Sequence, residues 1–309
     1  MRERAEAMVL ASFVADAHAL GAHWIYDMDE IATRFGVVDE LLPPPSDSFH
    51  GGKGRGAFTH YGDQALLLLR TLARHDTFNQ DEFAAAWRTY MSEYEGYRDN
   101  ATKQTLKAME SGSLTQSGSP SRDFSVVGRI APLAYLYRDE HEVLAQVARE
   151  QAAVTHNSSV VLEAAEYFAW VVWHVLNRNT PTAALKAAAE QVASPTIREL
   201  VEKGLASAGI ETRAAAEEFG QHCPTQAALP LTVHLIARHE GSLRSALIEN
   251  VAAGGDSAAR GMVTGMVLGA FHGRDGIPDG WAEDLLAYKE INALLEDLEA
   301  YFYRNGASA

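Results

Sequence analysis

Val160-Val161-Leu162-Glu163-Ala164-Ala165-Glu166-Tyr167-Phe168-Ala169-Trp170-Val171-Val172-Trp173-His174-Val175-Leu176 is apolar nearly all round. A helix-length run without a broad polar face reads as the central buried helix of a larger core. The same period recurs on both sides of it. Ala5, Val9, Ser12 and Phe13 open a helix reaching about Leu20, and Gln64–Leu72 and Phe83–Tyr94 continue the pattern. Further helices are predicted at Thr182–Val192, Thr196–Ala206, Gln226–Arg238, Ser242–Ala252, Ala258–Phe271 and Trp281–Tyr303. Alternating β-branched strands and hairpin turns are missing, so the expected class is all-α.

The chain has 309 residues, 47% of them apolar and 22% charged, and a formal net charge of −15. One helical domain spanning 1–309 is expected, since none of its loops is long or charged enough to be an interdomain linker and no internal repeat appears. A chain this acidic is a poor partner for nucleic acid, whose affinity comes largely from neutralised phosphates. A basic membrane-surface helix is equally absent. The run Met8–Phe13 is soon followed by Asp16 and His18, and no uninterrupted apolar stretch approaches the ~20 residues of a membrane span. The single cysteine, Cys223, offers neither an intrachain disulfide nor a Cys-rich metal framework, and a reducing cytoplasm is the expected compartment. Oligomeric state is not legible.

Three loops interrupt the helices. Leu42–Thr59 carries Pro43-Pro44-Pro45 and then Gly51, Gly52, Gly54 and Gly56, with Lys53 and Arg55 between them. Ser111–Ser121 is rich in Ser and Gly, and Gly269–Gly280 leads to Trp281. The glycine loop does not spell a phosphate-binding P-loop. His141-Glu142 and His239-Glu240 lack the second histidine of a zinc-protease helix, and no G-x-S-x-G elbow exists. The loop is either a surface connection or a wrap for an anion, with Lys53 and Arg55 supplying charge.

What remains is a series of aspartates at helix starts. Asp63 precedes Ala65–Leu69 and Asp256 follows Gly254-Gly255, both in positions where an N-cap is the ordinary role. Asp16 lies inside an apolar helix, where a carboxylate needs a partner or a function. After Asp256, glycine recurs at 261, 265, 269 and 273, so one helix face is nearly bare. Each such Gly costs about 1 kcal/mol relative to Ala, which close approach of another backbone or a ligand offsets.

In order along the chain, Ala15-Asp16-Ala17-His18-Ala19, Tyr61-Gly62-Asp63-Gln64, Gly128-Arg129-Ile130-Ala131-Pro132, Thr155-His156, Gly254-Gly255-Asp256-Ser257-Ala258-Ala259 and Ile277-Pro278-Asp279-Gly280-Trp281 resemble the motifs of the ADP-ribosylglycohydrolases. The wording His23-Trp24-Ile25-Tyr26-Asp27 is closer still to the J-crystallin-like branch, which includes lens proteins. The resemblance implies an all-α orthogonal bundle and hydrolysis of an N- or O-glycosidic bond of ADP-ribose, typically with two Mg²⁺ ions. It equally implies an alternative, a non-catalytic structural or ligand-binding protein.

The departures fall on the metal. The family's second and last motifs each supply two carboxylates; here Gly62 and Ala258 stand at two of those positions, leaving Asp63 and Asp256. Arg260, four residues after Asp256, is placed for an ion pair and is expected to replace part of the cation's charge. A hard cation depends on anionic oxygens. No cofactor is therefore expected; a single weakly held Mg²⁺ on Asp63 and Asp256 is the alternative. The candidate catalytic residues are Asp63, Asp256, Asp16 and His23, the last standing near where many members carry a Glu. Arg129, Thr59, His60, Gly255, Ser257, His156 and Arg260 are candidate substrate contacts, with Arg129 and the Gly51–Gly56 amides able to hold a phosphate. The expected partner is a small-molecule or ADP-ribosylated substrate.

Overall fold

A computed structural model describes residues 1–304. The expected single domain extends to 309, and its last five residues lie outside the described ones. Fifteen α-helices and no strand occur among the described residues, so the fold is all-α. In chain order they are α1 (Arg2–Ala19), α2 (Met28–Phe35), α3 (His60–His75), α4 (Gln80–Glu93), α5 (Asn100–Met109), α6 (Ile130–Leu136), α7 (His141–Ala153), α8 (Ser159–Leu176), α9 (Pro181–Gln191), α10 (Pro195–Ala206), α11 (Thr212–Phe219), α12 (Thr225–Arg238), α13 (Leu243–Ala252), α14 (Ser257–His272) and α15 (Tyr288–Arg304).

The bare face of α14 meets α1 in the most extensive helix pair of the fold. A Cβ added at Gly265 would come within 2.4 Å of the Ala11 carbonyl oxygen, and one at Gly269 within 2.8 Å of the Ala7 carbonyl oxygen. A Cβ at Gly261 would lie 3.2 Å from the Ala15 carbonyl oxygen. Two rows of small residues, each with a four-residue spacing, thus let the backbones touch. Tight packing accounts for these glycines without any ligand. Gly273 is not part of the seam; it ends α14 with φ +72°.

Asp16 and His18 sit on this central helix. The helical window Arg2–Ala22 is long and apolar enough for a membrane span by length and composition, as is α8, a point the uninterrupted-run criterion missed; in the fold they are 94% and 61% buried by protein. On α8, Val161, Ala164, Ala165, Phe168 and Val172 are fully buried. Trp170 and Trp173 are only half-buried and pack on His141 of α7, so the helix is less enclosed than its sequence suggests.

Local signals set the helix ends. Thr59 caps α3 and Asp99 caps α5, each accepting a backbone N–H, and Pro181 and Pro195 open α9 and α10. The last helix starts at Tyr288 rather than Trp281, because Gly280 turns with φ +81° and the Leu286 N–H donates to the Gly56 carbonyl. That contact seats the glycine loop against the segment leading into α15. The helices α2, α5, α6, α7 and α11 were absent from the periodicity reading; several are short or carry mostly polar surface.

Candidate functional site

The last aspartate motif begins with two glycines that no other residue could replace. Gly254 and Gly255 have φ of +70° and +67°, and a Cβ at Gly255 would lie 2.3 Å from the Gln221 carbonyl oxygen. The turn is held from both sides: the Gly255 N–H donates to the Ile25 carbonyl at 2.7 Å and the Gly255 carbonyl accepts the Trp24 N–H at 2.9 Å. It delivers Asp256 to the start of α14, where its side chain accepts the Ala259 N–H. Asp256 is completely buried, and burial pushes its carboxyl up to about 6 against the opposing field of Arg260. Its Oδ1 lies 3.9 Å from His23 Nδ1, while Oδ2 has no hydrogen-bond partner. The Cys223 thiol lies against the same carboxyl, and burial raises it far above its ordinary range, keeping it protonated.

Arg260 is placed differently from expectation. It makes no ion pair with Asp256 within 4.0 Å among the described residues. Its guanidinium donates to the carbonyls of Gly254 (2.5 Å), Gln221 (3.3 Å) and Asn250 (3.4 Å) and to Asn250 Oδ1 (3.3 Å). Arg260 therefore braces the glycine turn and reaches Asp256 only through its field. It is fully buried and cannot touch a ligand in a cleft.

The first and second motifs meet at the N-terminus of α3. Asp16 Oδ2 accepts the Thr59 N–H at 2.7 Å and Oδ1 accepts the Thr59 hydroxyl at 2.6 Å. Asp16, expected as a catalytic residue, and Thr59, expected as a substrate contact, are both wholly buried, and their pairing joins α1 to α3 rather than facing solvent. Burial raises the Asp16 carboxyl to about 6, with the Thr59 bonds opposing. The Gly62 position is occupied by this same group: a Cβ there would stand 2.5 Å from Asp16 Oδ2 and 2.8 Å from Phe58 Cβ.

Asp63 points elsewhere. Its Oδ2 accepts the Lys53 ammonium at 2.6 Å and a short hydrogen bond from the Tyr94 hydroxyl. The glycine loop thus brings Lys53 to a carboxylate of the chain itself, not to open solvent as an anion hook. Burial and the nearby Asp63 push the Tyr94 phenol well above its usual range. No hydrogen bond or ion pair joins Asp63 to Asp256 among the described residues.

Between them lies a cluster of rings. His23 stacks on Trp24 at 4.4 Å between centroids, and Trp24 contacts Phe49 at 5.3 Å and Tyr97 at 5.2 Å. His50 and His60 stack at 5.4 Å, with His50 Nε2 3.2 Å from His60 Nδ1. Trp24 adopts φ +65°, costly for a bulky residue, and the Gly255 hydrogen bond and surrounding rings hold it there. His23 Nε2 has no hydrogen-bond partner, and burial with neighbouring His50 and His60 holds the ring well below its ordinary pKa.

This cluster walls a cleft of about 750 Å³ lined by Phe49, His50, Lys53, Tyr90, Tyr94 and Tyr97, among others. A second pocket of about 280 Å³, bordered by His23, Trp24, Tyr26 and Phe49, lies on its other side. Phe49, 64% exposed, lines both and so separates them.

Arg129 lies behind the cleft, fully enclosed. It donates to Gln64 Oε1 (3.0 Å), Gln151 Oε1 (3.1 Å), the Gln151 carbonyl (3.3 Å) and Thr155 Oγ1 (2.7 Å). These partners take four of its five N–H donors, and burial lowers its pKa to about 9. Arg129 is thus held in the interior and does not line the cleft. His156 is similarly interior: Nδ1 lies 2.9 Å from Thr155 Oγ1, and burial lowers the ring to about 4. Ser257 is buried with an unpartnered hydroxyl, and Gly255 contributes only backbone to the turn.

Of the residues singled out in the sequence, Lys53 lines the cleft, Asp63 and His60 lie just behind its wall, His23 borders the smaller pocket, and Asp16, Thr59, Arg129, His156, Asp256, Ser257 and Arg260 are buried behind them. Trp24, Phe49, His50, Tyr94, Tyr97 and Asp99 were not candidates. They come from separate segments with no shared motif, and only Trp24, adjacent to His23, carried a local signal.

The family model for the ADP-ribosylglycohydrolases matches residues 1–308. Crystallin J1A of Tripedalia cystophora is 22% identical over 315 residues, covering 96% of each chain. The ADP-ribosylhydrolase ARH3 of Homo sapiens is 30% identical over 64 residues, 21% of this chain and 18% of that one. A solved structure described as an ADP-ribosylglycohydrolase-related protein complex superposes with a TM-score of 0.79 at 24% identity, covering 96% of this chain and 97% of that one.

Proposed function

The chain belongs to the ADP-ribosylglycohydrolase family, and from this we propose that it hydrolyses an N- or O-glycosidic bond of a ribosyl or ADP-ribosyl substrate in the 750 Å³ cleft, without a divalent ion. The observation that carries the reading is Asp63, the motif carboxylate behind that cleft's wall, held by Lys53 and Tyr94, which both line it. Glycosidic cleavage passes through an oxocarbenium-like state, and a fixed carboxylate stabilises the charge that develops there. An anionic substrate group draws on the Lys53 ammonium, leaving Asp63 less neutralised at the sugar. His23 is one of these rings and stacks on Trp24, while Asp256 lies behind them at the end of the Gly254–Gly255 turn.

Against Mg²⁺ stand the donors themselves. Gly62 has no room for a carboxylate because Asp16 fills it, Ala258 has none to offer, and Asp63 already holds an ammonium. Asp256 is enclosed with a thiol and a histidine. A hard cation seeks several anionic oxygens together, and this arrangement does not gather them. The test is turnover of ADP-ribosyl-arginine and ADP-ribosyl-serine peptides with EDTA present. We expect hydrolysis, reduced about 10²-fold or more in Asp63→Ala at unchanged fold. Undiminished turnover in that variant overturns the role of Asp63.

A second reading, a non-catalytic crystallin-like structural or ligand-binding protein, has one observation in its favour. Asp16 and Asp256 have no solvent exposure, so two of the motif carboxylates support the fold. Absence of turnover on every ribosyl substrate, with an intact fold, selects that reading.

A further inference from the structure

Behind His50 runs a chain of polar groups that the motifs do not contain. Asp99 is buried at the start of α5, where Oδ1 accepts the Thr102 N–H at 2.6 Å. Its Oδ2 lies 3.4 Å from His60 Nε2, within ion-pair reach but not aligned as a hydrogen bond, and His60 Nδ1 lies 3.2 Å from His50 Nε2. The Asp99 charge disfavours a lone pair facing it, so the His60 proton is favoured on Nε2, which leaves the lone pair at Nδ1. His50 must then donate from Nε2, which leaves its own lone pair on Nδ1. The His50 ring borders the same cleft as Lys53 and Tyr94.

We propose that His50 is the general base of the cleft and that His60 and Asp99 are positioning residues that fix its tautomer. The assignment rests on the glycohydrolase reading above. A water in the cleft loses a proton to His50 Nδ1 while its oxygen bonds to the anomeric carbon. The bond from that carbon to the leaving nitrogen or oxygen breaks, and its electron pair stays on the leaving atom. The imidazolium returns the proton to that atom, so one water is added across the bond and the ring ends neutral. Asp99 does not take the proton; its charge, relayed by the orientation of His60, stabilises the imidazolium while it exists. The charged or titratable groups facing this chain are His23, Lys53 and Tyr97 around His50, and Tyr61, Asp123, His156 and Arg129 around His60 and Asp99. Burial first, with His60 and the Lys53 ammonium opposing a further positive charge beside them, keeps His50 neutral across the physiological range, so the lone pair is present without a titration step.

The test compares the full chain with His50→Gln and Asp99→Asn, the latter retaining an oxygen for the Thr102 N–H. Two readouts are taken: kcat and KM on an ADP-ribosyl-arginine peptide, and the imidazole tautomers by long-range ¹H–¹⁵N NMR of ¹⁵N-histidine-labelled protein. We expect His50→Gln to lower kcat about 10²-fold with KM nearly unchanged. Asp99→Asn is expected to lower kcat by about tenfold or more and to convert the His50 signal from the Nε2–H form to a tautomer mixture. Full turnover in His50→Gln, or an Nδ1–H tautomer for His50 in the unmodified chain, overturns the assignment while leaving the glycohydrolase reading standing. No turnover by the unmodified chain overturns both, and the NMR signal still reports whether the orienting chain exists.

Discussion

A buried carboxylate on an apolar helix demands a partner, and Asp16 finds one forty-three positions away in Thr59. That a partner was needed is legible in the sequence; which one is not, since nothing local links Ala15-Asp16-Ala17 to the start of α3. The same pairing explains Gly62, where a side chain collides with the carboxylate. Gly62→Ala is expected to destabilise the fold by about 1–3 kcal/mol, despite alanine's better helix propensity, as read by urea denaturation. A gain in stability would show that the helix start has slack. Arg129 offers the reverse lesson. Its motif suggested a phosphate clamp, yet its donors go to Gln64, Gln151 and Thr155. Arg129→Ala leaves Gln151 Oε1 buried without its donor and removes one donor from Thr155 Oγ1 and from Gln64 Oε1, which keeps the Trp87 indole N–H; a loss of about 3 kcal/mol or more is expected, with little change in ligand affinity among molecules that remain folded. A selective loss of ADP-ribose binding at unchanged stability contradicts that placement.

Helices were the most legible feature, because a period of 3.6 is read from the order of apolar and polar residues alone. The long apolar ones, α1, α3, α8 and α14, were found within a few residues of their ends. The short ones were not: α2, α6 and α11 have eight residues or fewer, too few turns for a period to declare itself. The glycine row on α14 was visible, and its cause required a partner helix. Gly265→Leu pushes side-chain atoms into the Ala11 carbonyl of α1. We expect a loss of about 1–3 kcal/mol from overpacking, and more where α1 cannot yield, seen as a lowered Tm in thermal denaturation. An unchanged Tm means that α1 and α14 slide apart freely. For the loop between α2 and α3 the sequence allows a surface connection or an anion wrap. It is neither simply: Gly56, with φ +75°, packs against the Asp284 carbonyl, and Lys53 turns inward to Asp63.

For the molecule as a whole, motif order along the chain revealed the fold, whereas the cleft's walls did not announce themselves. Phe49, His50, Tyr94 and Tyr97 come from a loop and from beyond α4, and only three-dimensional packing brings them together. The interior also predicts a pH response with opposing parts. His18, His23, His50, His156 and His234 are all held below the ordinary value of 6.5 by burial. In that case the unfolded chain binds protons first, and the stability contributed is lost as pH falls through 6.5 toward about 4. Asp16 and Asp256 act oppositely. Their folded values of about 6 exceed the ordinary 3.8, so they favour the fold increasingly as pH falls from 6 toward 4. Five histidines outweigh two aspartates between pH 7 and 5, and Tm is expected to fall over that interval. A rise in Tm would mean that the aspartates dominate.

On the proposed function the cleft takes a ribosyl ligand with the Lys53 ammonium, not a divalent ion, beside Asp63. The most direct test is calorimetric titration of ADP-ribose into the full chain, once with Mg²⁺ and once with EDTA. Equal affinity in the two is the predicted result. Binding that appears only with Mg²⁺ contradicts the account.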